Sequence, residues 1–266
     1  STTYLIFIPF TLANIFIFIV AVIPRTINYR GLKLASDGLL LIQLPSMDAK
    51  SLITDNTTID FLDAFDYYND NEFEKSAAIY HTLLNSKDKT VKLTSEFNLA
   101  CIDLNNAHVE KAFDAFQKIK QTTDIELFRL LEGVWNNNIA WCYLLMDEKD
   151  LGKVDEHVEI AFELSPSEPH FQQTRGVALI EKGDWQGGID ILRKLVDFEF
   201  VNDITIVSAI YLCYGLYQQN KFKTAKKYYG FVEKHISEGV PMDRFIWENM
   251  LERLKVIAEE KRISND

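Results

Sequence analysis

The chain has little proline, glycine or cysteine: six, eleven and three among 266 residues. No Asn-Gly turn sits between alternating apolar residues, and the one Asp-Gly pair is Asp37-Gly38. A body built from β-hairpins is therefore excluded. Cys101, Cys142 and Cys213 show no C-x-x-C spacing, so neither a disulfide framework nor an oxidising compartment is needed. Also missing are a Gly-rich phosphate loop, a G-x-S-x-G elbow and paired carboxylates in an evident cleft, which removes the common routes to phosphoryl and acyl transfer. Basic residues are outnumbered 28 to 39, for a net charge of −11. A chain of that sign repels nucleic acid and anionic lipid.

What is present is helical periodicity. Apolar residues recur at three and four residues, as in Phe113, Phe116 and Ile119, or Ile189, Leu192, Leu195 and Val196. Over residues 58–235 one unit recurs five times, read at a spacing of 34 to 37 residues. Its clearest copy has Gly176, Gly183-Asp184, Trp185 and Gly188. A small residue opens a close helix contact, a Gly-Asp turn follows, and a second small residue twelve positions on lets the return helix nestle. Ala64 and Ser76, Ala100 and Ala112, and Cys213 and Ala225 fill the same slots elsewhere. The third copy, from Ala140 to Val154, is stretched by about two residues in its turn and ends near Pro166.

This spacing resembles the tetratricopeptide repeat. The resemblance implies an all-α, right-handed solenoid that binds protein or peptide, through a concave groove lined by the first helix of each hairpin. Register places Phe61, Phe65, Tyr68, Phe97, Asn98, Asn105, Asn137, Trp141, His170, Gln173, Tyr214 and Tyr217 on that groove. The lining is aromatic and nearly uncharged. It lacks the Lys, Arg and Asn clamp by which some members hold a terminal carboxylate, so an apolar or amphipathic peptide is the expected guest. Residues 236–266 read as a capping helix. Phe245, Ile246, Met250, Leu254 and Ile257 form its apolar stripe, and Glu248, Glu252, Arg253, Glu259, Glu260 and Lys261 its outer face.

Residues 4–23 carry no charge. At about 1.5 Å per residue they match a hydrocarbon core of about 30 Å. Residues 1–24 are thus the expected transmembrane helix, containing Pro9 and Asn14 and closing at Pro24, with residues 25–57 as a juxtamembrane linker. Arg25, Arg30 and Lys33 follow the span, giving residues 1–47 a charge of +2 and the remainder −13. Positive charge on that side points to a cytoplasmic repeat domain. The expected location is single-pass in a plasma membrane, bacterial in kind. The lipid bilayer and other membrane subunits join the expected partners.

Asn14, Pro24 and Asp37-Gly38 also resemble the third conserved region of the site-2 family of intramembrane zinc proteases, some of which carry tetratricopeptide tails. The resemblance implies an alternative, in which Asp37 is a zinc ligand and the repeats select or regulate substrate. Ala21 stands where that family usually has asparagine, Asp37 lies thirteen residues beyond Pro24, and no H-E-x-x-H is present. The five histidines are His81, His108, His157, His170 and His235, all in the repeats or their end. A protease would need that motif from chain upstream of Ser1. In the leading reading no cofactor and no catalytic residue are expected, and the protein is a membrane-anchored scaffold.

Overall fold

The computed structural model describes residues 26–29, 32–35 and 56–263. The expected span at 4–23, with Pro9, Asn14 and Pro24, lies outside these residues, as does Asp37. Among the described residues no helix is long and apolar enough to cross a membrane. The chain divides into two compact units, residues 1–59 and 60–266.

Within the stretch read as a juxtamembrane linker, 25–57, the first unit holds two short strands. Strands β1 (Thr26–Tyr29) and β2 (Leu32–Ala35) pair antiparallel, with Ile27 opposite Leu34 and Tyr29 opposite Leu32. Only Arg30 and Gly31 separate them, the length of a two-residue hairpin loop. A search for Asn-Gly and Asp-Gly passes over an Arg-Gly pair.

The second unit is all-α. Its hairpins are α1 (Asn56–Asn69) with α2 (Phe73–Leu83), α3 (Lys89–Asn105) with α4 (Val109–Thr122), and, after the one-turn α5 (Ile125–Phe128), α6 (Glu132–Leu145) with α7 (Leu151–Leu164). Then come α8 (Pro169–Glu181) with α9 (Trp185–Leu192), and α10 (Asp203–Gln218) with α11 (Phe222–His235). Helix α12 (Pro241–Ile263) ends the array. Several starts are capped as the sequence dictates. Asp88, Asp150, Asp184 and Asn202 each accept a backbone N–H of the first turn of α3, α7, α9 and α10. The repeat interval is less even than the spacing suggested. From Ala100 to Ala140 it is 40 residues, because α5 is inserted there.

The small-residue slots are where the paired helices meet. Ala64, Ser76, Ala100, Ala112, Ala140, Val154, Cys213 and Ala225 are all buried. A Cβ on Gly188 would lie 2.6 Å from the Gly176 carbonyl oxygen, and one on Gly176 2.7 Å from Leu192. Backbone therefore touches backbone in the fourth hairpin. In the first, the slightly larger Ser76 is accommodated because its Oγ donates to the Ala64 carbonyl at 2.7 Å. One slot thus takes glycine, alanine, cysteine or serine by different local solutions.

Four of the five hairpins share one turn. Asn71, Ala107, Gly183 and Asn220 have positive φ. The following N–H bonds the carbonyl five residues back in each case: Glu72 to Tyr67, His108 to Asp103, Asp184 to Leu179 and Lys221 to Leu216, at 2.8–2.9 Å. This is the Schellman closure, which satisfies the last carbonyls of the leading helix. Only Gly183 carries the residue that adopts this conformation freely. The third hairpin lacks the turn and runs through Met146–Asp150 instead, its extra length being the stretch seen in the sequence. Ala107, at φ 62°, bears a Cβ penalty. Ala107→Gly is expected to raise stability by roughly 0.5–1 kcal/mol. Gly183→Ala, at φ 88°, is expected to lower it by a similar amount, read as opposite shifts of the urea midpoint at constant slope.

Candidate functional site

The leading helices α1, α3, α6, α8 and α10 are tied to one another by side chains as well as by apolar packing. Asn105 donates to the Tyr68 hydroxyl at 2.9 Å, and Asn138 to the Cys101 sulfur at 3.3 Å. Thr174 donates to the Asn137 side-chain oxygen at 2.6 Å, and Gln173 to Ser208 at 3.0 Å and to the Ile204 carbonyl at 2.8 Å. Each bond joins one hairpin to the next. A buried amide would otherwise lose its water without replacement, so this ladder fixes the register between repeats as well as satisfying its members.

The ladder sorts the residues placed on the groove by register. Asn137 and Gln173 are buried members of it, and Tyr68 and Asn105 are half-buried members. Phe97 is buried against Phe116, with ring centroids 5.3 Å apart, and Phe61 packs on Tyr80. Tyr214 is buried, Trp141 is half-buried with its ring near Tyr211, and Tyr217 is half-buried against Phe222. Asn98 is half-buried. Phe65 and His170 are exposed, and His170 Nδ1 lies 4.0 Å from Asp203.

The inner face also has an occupant. Helix α12 packs against α10 and touches α3, both leading helices. Met242, Ile246, Trp247, Met250, Leu254 and Ile257 are buried, a stripe close to the one read from sequence. Arg253 departs from that reading. A helical wheel set it on the outer face, but its guanidinium binds Glu181 of α8 at 2.6 and 3.2 Å and donates to the Tyr214 hydroxyl at 2.9 Å. It also lies 4.2 Å from the centre of the Tyr214 ring. Glu181 is nearly sealed, its side chain only 4% exposed, and it takes a second cation from Lys149 at 3.0 Å. Burial works against the Arg253 charge, yet its bonds to Glu181 outweigh that and hold its pKa above the ordinary arginine value. A fork-on-fork pair of this kind fixes direction as well as energy. The missed signal was the buried carboxylate: Glu181, at the end of an apolar helix, needed a cation from elsewhere.

At its other end α12 begins beside the first two hairpins. Val240 packs into the apolar cluster of Ala64, Phe73, Tyr80 and Leu83. A cleft of ≈ 800 Å³ opens there, lined by Asn71, Phe73, Lys75, Asn106, His108 and Arg244 among others. Asp243 starts the helix and accepts the Val240 N–H at 3.0 Å. Burial pushes its carboxyl up to about 7, an effect the Val240 bond only partly offsets.

Burial pushes the Cys101 and Cys213 thiols up to about 12, and that of Cys142 higher still, so none is a ready thiolate. His157 is buried with Nδ1 at 2.7 Å from the Asn136 oxygen. Because the Asn136 amide donates to the Glu132 carbonyl, the histidine donates in turn. Burial lowers its pKa and favours the neutral ring. Among the described residues no group of His, Cys, Asp and Glu is placed to hold a metal ion.

Among the described residues this arrangement is an array of helix hairpins, five in succession, ended by α12. No protein-family profile and no curated protein matches the chain. Among solved structures it is similar to MamA 41-end from Desulfovibrio magneticus RS-1, at 14% identity, covering 70% of this chain and 98% of that one, with a TM-score of 0.44. It is also similar to kinesin light chain TPR-like repeats of Podosopora anserina, at 12% identity, 70% and 98% coverage and a TM-score of 0.42. The repeat architecture stands on the chain's own turns and packing slots.

Two outcomes follow from the α12 contacts. Arg253→Met leaves Glu181 with Lys149 alone and is expected to cost on the order of 2–4 kcal/mol in urea unfolding, with Glu181→Gln/Arg253→Met recovering part of the loss. Asp243 holds its proton more tightly folded than unfolded. Its contribution is fully present below the unfolded carboxyl pKa, 3.8, and fades as pH rises through about 7. The urea midpoint of the native chain is expected to fall between about pH 4 and pH 7, and Asp243→Asn to flatten that slope.

Proposed function

We propose that the protein is a polypeptide-binding module held at a membrane. The observation that carries the binding reading is the open cleft between the turns of the first two hairpins and the start of α12, beside Asn71, Asn106 and Arg244. Helix α12 itself packs on α10 and α3. A guest segment entering that cleft meets a small apolar floor of Phe73, Val240 and Pro241, ringed by Glu72, Glu74 and Glu238 and by Lys75, His108 and Arg244. A floor of that kind with charges of both signs around it suits a short, charged amphipathic segment of polypeptide. The membrane part of the reading rests on residues 4–23, whose length and lack of charge fit a bilayer span, and on the bases that follow them. The repeats then work on the cytoplasmic side, near whatever shares that membrane.

Two measurements test the two parts separately. Alkaline carbonate should leave the full chain in native membrane pellets and release a chain lacking residues 1–24. Release of both would overturn the anchor. A photocrosslinking residue at Asn106, on the cleft, should give a defined polypeptide adduct by mass spectrometry, and Arg244→Glu should abolish it. The same adduct from a crosslinker at Lys118 on the outer surface would overturn the cleft as binding site.

A further inference from the structure

The two ends of the array carry opposite charge on uncovered helix faces. On α1, Leu62 and Phe65 are 57% and 46% exposed, beside the exposed Asp63, Asp66, Asn69 and Asp70. At 100° per residue these positions span a sector about 160° wide. Among the described residues none of the three aspartates is in an ion pair. At the far end, α11 presents Lys223, Lys226, Lys227 and Lys234, all exposed, on a chain whose net charge is −11. Only Lys227 has an aromatic partner, its ammonium 4.0 Å from the centre of the Phe198 ring. Glu233, the one acid on that helix, is engaged by the Tyr229 hydroxyl at 2.8 Å. Between the lysines sits Gly230, where a Cβ would meet nothing within 4 Å, and Phe222 flanks them at 46% exposure.

We propose that the protein associates head to tail, the α11 face of one copy receiving the α1 face of the next. Leu62 and Phe65 seat over the notch at Gly230 and beside Phe222, while Asp63, Asp66 and Asp70 meet the lysines that border it. A heterologous contact of this kind repeats without closing and yields short rows of copies. The occupant is a second copy because one contact answers both faces at once. A polyanion would satisfy only the lysines and would meet the repulsion of the whole chain. The proposal is independent of what the cleft binds.

The test uses the full chain in mild detergent, followed by sedimentation velocity over a concentration series. The native protein is expected to form a concentration-dependent series whose association weakens by about tenfold or more as salt rises from about 50 to about 500 mM. Asp63→Lys/Asp66→Lys and Lys223→Glu/Lys226→Glu change exposed side chains only, and unchanged circular dichroism confirms the fold. Each is expected to sediment as a monomer alone, and an equimolar mixture to associate again. Lys92→Glu/Lys118→Glu, which puts the same charge change on other helices, leaves both faces intact and is expected to associate like the native chain. A monomeric native chain throughout the series overturns the proposal. So do face variants that associate like the native chain, or loss of association in Lys92→Glu/Lys118→Glu. If the native chain stays monomeric while Lys223→Glu/Lys226→Glu abolishes binding to phosphatidylserine vesicles, the basic face serves lipid and the proposal fails.

Discussion

The repeat body depends on how closely the two helices of a hairpin approach. At Gly176 and Gly188 the approach leaves no room for a Cβ, and at Ala64 and Ser76 it leaves room for a hydroxyl only because that hydroxyl bonds the facing carbonyl. Interiors at this density transmit any added methylene as strain. The slots therefore set the hairpin angle, the angle sets where each leading helix faces, and the leading helices can then be laced to one another by Tyr68–Asn105, Cys101–Asn138, Asn137–Thr174 and Gln173–Ser208. Short-range packing and the inter-repeat ladder divide the work, as a one-dimensional array requires.

A groove in such an array is only what remains after the ladder and the last helix have taken their share. Four of the leading-helix residues that point inward by register, Tyr68, Asn105, Asn137 and Gln173, are consumed by neighbouring hairpins, and Phe97 is spent on Phe116 of its own hairpin. Helix α12 then covers α10. That helix is buried from Thr205 to Leu216 without a polar face, so something had to lie on every side of it. Arg253 locks the cover in place by reaching a carboxylate, Glu181, that has no other escape from burial than its two cations. The open cleft lies apart from that face, between the turns of the first two hairpins and the start of α12.

Much of this was legible in the residues. Pairs of small residues twelve apart gave the hairpins in register, and all of them are buried. The Gly183-Asp184 turn read from the fourth copy is where α9 starts, with Asp184 as its cap. What escaped had physical reasons. An Arg-Gly pair carries a weaker hairpin signal in sequence than Asn-Gly, so no strands were expected in 25–57. Helix α5 widens one interval without disturbing the periodicity on either side. The wheel put Arg253 outward because α12 was taken to have one covered face, whereas it is gripped on more than one. A register argument assigns a residue to the inner face, but cannot tell a residue that meets a guest from one spent on the next repeat.

The most direct test of the account is hydrogen exchange on the native full chain, followed amide by amide along α10 and α12. If α12 closes the inner face as an integral part of the array, the amides of its 242–257 stretch are protected together with those of α10, and Arg253→Met lowers the protection of both. If α12 exchanges orders of magnitude faster than α10, with α10 unaffected by that substitution, the helix is a loose tail, the inner face is open along its length, and the account is contradicted.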